Sequence, residues 1–130
     1  MERPIVFYFA WQEDQWLDEL LDYFADVIAL LPAPQSLAVA KTERLAEAGK
    51  TALLIVNPQG EPEKSRRFLD LLTVDETLAG DALYIVGVPE AEAAAWQAAY
   101  PAAEVVAMRE PAFAFDYAQV LARMAGEEQA

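Results

Sequence analysis

Four consecutive apolar residues, Leu53, Leu54, Ile55 and Val56, end abruptly at Asn57 and Pro58. A run without polar alternation predicts a strand covered on both faces, as in the middle of a parallel sheet. Residues 82–88 repeat this pattern. Residues 4–10, rich in β-branched and aromatic side chains, predict a first strand beside the central one. Residues 103–108 are shorter and more alternating, which suits an edge strand. Between these runs the periodicity becomes helical. Over residues 13–31, Leu17, Leu20, Leu21, Phe24, Ile28 and Leu31 fall on one face, and Trp16, Tyr23, Val27 and Leu30 form a flanking row; together they predict one long first helix. Pro32 and Pro34 end it. Residues 36–40 then predict a short second strand, and residues 42–48 a short helix capped by Thr42 and stopped by Gly49. Further helices are expected over 63–72, over 89–100 with Pro89 at the start, and over 115–125 with Val120, Leu121 and Met124 inward.

Strand and helix thus alternate five times, and no repeat or linker divides the chain. The pattern predicts a single α/β domain over 1–130, with residues 126–130 a frayed tail. It is a three-layer sandwich around a five-stranded parallel sheet of order 2-1-3-4-5 with right-handed crossovers. In such sheets ligands gather beyond the carboxyl ends of the strands, where the order reverses. Here the central strand offers an amide, Asn57, at that place.

Composition narrows the chemistry. With 55% hydrophobic and 24% charged residues in 130, the chain is expected to fold around a core. Charges interrupt every apolar stretch before the roughly 18 residues a membrane span needs, and no signal-peptide pattern opens the chain; a cytoplasmic protein that is not in the membrane is expected. The absence of cysteine and histidine removes thiol nucleophiles, disulfides, histidine bases and the usual zinc sites. A net charge of −13 repels nucleic acid and anionic membranes and favours a basic partner protein. Asp14, Asp18, Asp22 and Asp26 recur every fourth residue, joined by Glu19. On the predicted first helix they form an acidic stripe, a docking surface whose apolar part is the row Trp16, Tyr23, Val27 and Leu30; Asp14 also suits the positive end of the helix dipole. Lys64, Arg66 and Arg67 lie among Glu61, Glu63 and Asp70, which points to local ion pairs.

Several features converge on one family. The short segment 43–49 leads into the third strand, and Asn57 and Pro58 stop that strand. The fourth strand ends Ile85-Val86-Gly87-Val88. Arg109, Glu110 and Pro111 precede a last helix containing Leu121-Ala122-Arg123-Met124. In these cues the chain resembles the receiver domain of two-component response regulators over nearly its whole length. The resemblance implies an acidic pair after the first strand, a phospho-accepting aspartate after the third, a hydroxyl after the fourth and a lysine before proline after the fifth. This chain carries Ala10 and Trp11 at the first place, with Glu13 and Asp14 arriving later. It carries Asn57 at the second and Gly87 at the third. At the fourth, Glu110 precedes the proline, and Arg109 reaches the lysine role only with a one-residue shift. An amide cannot form an acyl phosphate, and Mg²⁺ loses its carboxylates. The implied class is a degenerate receiver: not an enzyme, without cofactor or metal, binding another protein or a second copy through helix faces. In that family the last strand and its flanking helices make such contacts, which adds Phe113, Phe115 and Tyr117 to the interface candidates.

Two alternatives stand beside it. A cysteine-free thioredoxin-like assembly factor is suggested by residues 5–11 followed by a helix, although the Cys-x-x-Cys is absent. A small metal-dependent enzyme would need Glu13, Asp14 and Glu110 to converge with Asn57. A flavin or nucleotide binder is disfavoured by the bulky, acidic segment 10–14.

Overall fold

A computed structural model describes residues 4–108 and 115–126. The strands are β1 (Ile5–Ala10), β2 (Val27–Leu30), β3 (Ala52–Asn57), β4 (Ala82–Pro89) and β5 (Glu104–Met108). The helices are α1 (Gln15–Tyr23), α2 (Pro34–Ala46), α3 (Pro62–Leu72), α4 (Ala93–Ala99), which follows a 3-10 turn at Glu90–Glu92, and α5 (Tyr117–Met124). All strand pairs are parallel, and the sheet order is β2-β1-β3-β4-β5. The architecture is therefore a flavodoxin-like three-layer sandwich, as the alternation predicted. No described helix is long and apolar enough to cross a membrane.

Alternate side chains of the inner strands feed two cores. Phe7, Phe9, Leu54 and Val56 point toward α2, α3 and α4, where Phe68, Leu69, Leu72 and Trp96 meet them. Val6, Tyr8, Leu53 and Ile55 point the other way, onto Trp16 and Leu20 of α1 and Val120, Leu121 and Met124 of α5. Burial on both faces explains why these strands read as continuous apolar runs.

Three predicted elements are corrected. The helix expected over 13–31 ends at Tyr23, because Phe24 adopts extended backbone angles (φ −109°, ψ 145°). Its expected second half is β2, and the carbonyl of Asp26, just before that strand, accepts the Val6 amide at 2.8 Å. Val27-Ile28-Ala29-Leu30 fits a helical wheel as well as a strand, and only pairing with β1 decides between them. The strand expected over 36–40 and the helix expected over 42–48 are a single helix, α2. Pro34 opens it, where its missing amide costs nothing. Its alternating Leu37 and Val39 imitate a strand, but the buried residues are Ser36 and Ala40, four apart as on a helix face. The sheet order was reached correctly with the wrong segment assigned to β2.

Candidate functional site

The carboxyl edge of β1 and β3 is where the reversal of strand order opens a crevice. Ala10 and Asn57 sit side by side in the register there. Asn57 is 1% exposed and all of its hydrogen-bonding groups are engaged. Its Nδ2 donates to the Tyr8 hydroxyl at 3.1 Å and to Asp14 Oδ2 at 3.0 Å, and its Oδ1 accepts from the Gln59 amide at 3.1 Å. The Tyr8 hydroxyl in turn donates to the Asp14 carboxylate, 2.9 Å from Oδ1 and 2.7 Å from Oδ2. Asp14 also caps α1, accepting the Leu17 amide at 3.0 Å.

This closed triangle has defined electrostatics. Burial, reinforced by the hydrogen bond to Asp14, raises the Tyr8 phenol far above its ordinary range. Tyr8 therefore remains a donor at neutral pH. The Asp14 carboxylate has two donors besides its cap, so its charge is satisfied inside the molecule.

Gly87 belongs to the same unit. It lies at a register irregularity between Val86 and Val88, with φ +78°, a conformation that favours glycine. A Cβ there would sit 2.5 Å from Asn57 Oδ1. The space a side chain at position 87 would need is thus taken by the Asn57 amide.

Trp11 ties this edge to the neighbouring helix. Its indole Nε1 donates to Ser65 Oγ at 2.8 Å, which links the loop after β1 to α3. Ser65 is fully buried and donates to the Glu61 carbonyl at 2.9 Å. The Lys64 ammonium stands 5.9 Å from the Trp11 ring centre, within the reach of a weak cation–π contact.

Of the pocket residues expected from sequence, the structure gathers Ala10, Trp11, Asp14, Asn57 and Gly87 at this edge. Glu13 is exposed beside it. Arg109 and Glu110 lie outside the described residues, as does Phe113. Tyr8 and Ser65 were missed. Tyr8 sits among phenylalanines in a wall-forming run, and its one signal is that a buried tyrosine needs a partner for its hydroxyl.

The expected interface residues are dispersed. Trp16 is 3% exposed; it packs edge-on to Phe115 and Tyr117 at 5.6 and 4.9 Å between ring centres, so these aromatics join α1 to α5. Tyr23 is half-buried against Phe24. Val27 and Leu30 are in β2, not on the helix. Asp18 and Asp22 are exposed on α1, whereas Asp26 precedes β2 and pairs with Lys50 at 3.0 Å. Of the four aspartates only Asp18 and Asp22 therefore stand on α1, with half-buried Glu19 beside them. Two of the three bases form the expected local pairs, Arg66 with Glu63 at 2.5 Å and Lys64 with Glu61 at 3.9 Å, while Asp70 accepts from the Tyr100 hydroxyl.

Among the described residues, no group of three or more Asp or Glu side chains is placed to hold a metal ion. No protein-family model, curated protein or solved structure matches the chain.

Proposed function

We propose that the chain is a non-catalytic interaction module, akin to a receiver domain that cannot be phosphorylated, and that it acts in the cytoplasm by binding a basic partner protein. The observation that carries this reading is the Tyr8–Asp14–Asn57 triangle. At the edge where phosphoryl transfer would need a free carboxylate, Mg²⁺ and a hydroxyl, the Asp14 carboxylate is spent on Tyr8, Asn57 and the α1 cap, and Glu13 stands exposed beside it. Gly87 supplies no hydroxyl, and the Trp11 indole is bonded to Ser65 of α3. The flavodoxin-like sheet supports this reading over the thioredoxin-like alternative. The net charge of −13 supports a basic partner over nucleic acid.

Intact-mass measurement after incubation with acetyl phosphate and Mg²⁺ tests the reading. No phosphorylated species is expected, and capture of a partner from cell extract should be the same with and without acetyl phosphate. A phosphorylated carboxylate, or capture that depends on acetyl phosphate, would contradict it.

A further inference from the structure

β2 is an edge strand, and the phase of its pairing decides which backbone groups are free. The Val6 amide bonds to the Asp26 carbonyl. By alternation the amides and carbonyls of Ile28 and Leu30 face β1, and those of Val27 and Ala29 face outward, where the sheet has no further strand. β2 carries neither a charge nor a proline, the usual protections of an open edge. On its α1 side lies a groove of about 240 Å³, lined by Ala10, Trp11, Leu17, Ala29 and Leu31 with Glu13 at its border. Ala29 is exposed, and its small side chain leaves the groove open. Leu31 in its lining remains 48% exposed, and Leu21, one helical turn from Leu17, 54%.

Charge selects the occupant. Asp18 and Asp22 form the helical row adjoining Leu17 and Leu21. Neither these aspartates nor Glu13 has a cationic partner among the described residues. A second copy would set another −13 and the same acids against this edge, which disfavours self-pairing. An extended segment alternating apolar and basic residues matches both the groove and its border.

We propose that β2 takes up such a segment of a partner protein as a sixth strand. Its main chain bonds to Val27 and Ala29, its apolar side chains enter the groove, and its lysines or arginines approach Glu13 and Asp18. The proposal rests on the reading of the chain as an interaction module and names the edge that docks.

Titrating the full chain with a capped eight-residue peptide alternating lysine and valine, followed by the NMR shifts of the Val27 and Ala29 amides, tests it. Saturable shifts at these two amides are expected with this peptide and not with its glutamate–valine counterpart. Ala29→Pro removes an outward amide that β2 does not use for β1, so it should weaken binding at least tenfold while the melting temperature holds. Should that variant unfold, Ala29→Trp fills the groove from an exposed position and should weaken binding likewise. The double charge reversal Glu13→Lys and Asp18→Lys should also weaken binding and flatten its salt dependence. No saturable shift, or equal binding by both Ala29 variants, would overturn the proposal. Partner capture retained by both Ala29 variants would overturn the edge site and leave the interaction module standing.

Discussion

Asn57 and Gly87 act as one unit, and their substitutions should be coupled. Gly87→Ala places a Cβ 2.5 Å from Asn57 Oδ1 at φ +78°; the loss should be about 2–4 kcal/mol, combining backbone strain with the clash. In the double variant Gly87→Ala with Asn57→Ala the clash is gone. Chemical denaturation should therefore give a combined loss below the sum of the single losses. Asn57→Asp would set a second carboxylate 3.0 Å from Asp14 Oδ2. Two like charges so close raise one of the pair's pKa values. A carboxyl raised in the folded state contributes most when protonated, so this variant should lose stability relative to the parent as pH rises through about 4 to 7. Equal losses at pH 4 and pH 7 would contradict the contact. The tyrosines act at the other end of the scale. Burial first, then the hydrogen bond to Asp70, pushes Tyr100 up to about 12 from the ordinary 10.0, and Tyr8 is raised further still. Their contribution is complete below pH 10 and lost above it, because the unfolded phenols ionise first. Denaturant titrations at pH 9 and pH 11 should show this fall, reduced in Tyr100→Phe.

At the scale of elements, the residues that decide boundaries are those whose pattern fits two structures. Leu53 to Val56 could be read as a strand because four apolar residues ending in Asn57-Pro58 are too short for a helix. Val27 to Leu30 could not, because they extend the helical spacing of Leu17, Leu20 and Phe24 in register. What settles β2 is the bond from Val6 to Asp26, twenty residues apart in sequence, which no local window contains. The site was legible to the same degree. Asn57 and Gly87 follow from strand ends, whereas the Tyr8–Asp14 contact depends on how the cap of α1 turns back onto β1. Two predictions belong here. Ile28→Pro removes an amide that faces β1 and should abolish or severely weaken folding, whereas Ala29→Pro should fold; thermal melts of the pair decide the phase of β2. Trp16→Ser removes a buried ring that joins α1 to α5 and should cost about 3–5 kcal/mol in chemical denaturation. A loss below about 1 kcal/mol would mean the ring lies on the surface.

For the whole molecule, charge and topology work in different directions. Two cores on either side of a parallel sheet hold the fold, while −13 of net charge strains it by self-repulsion. Screening should raise the melting temperature between about 10 and 150 mM salt, and an unchanged or falling midpoint would show that local ion pairs outweigh the net field. On the proposal above, the same charge disfavours pairing of the β2 edge with its own copy. The carboxyl edge of β1 and β3 is held instead by the mutual bonds of Tyr8, Asp14 and Asn57. NMR of the Asn57 side-chain amide during titration with Mg²⁺ and then beryllofluoride addresses it most directly. Amide protons protected from exchange, with shifts unchanged through both additions, are expected. Saturable shifts at Asn57 together with the Asp14 backbone amide would contradict this arrangement.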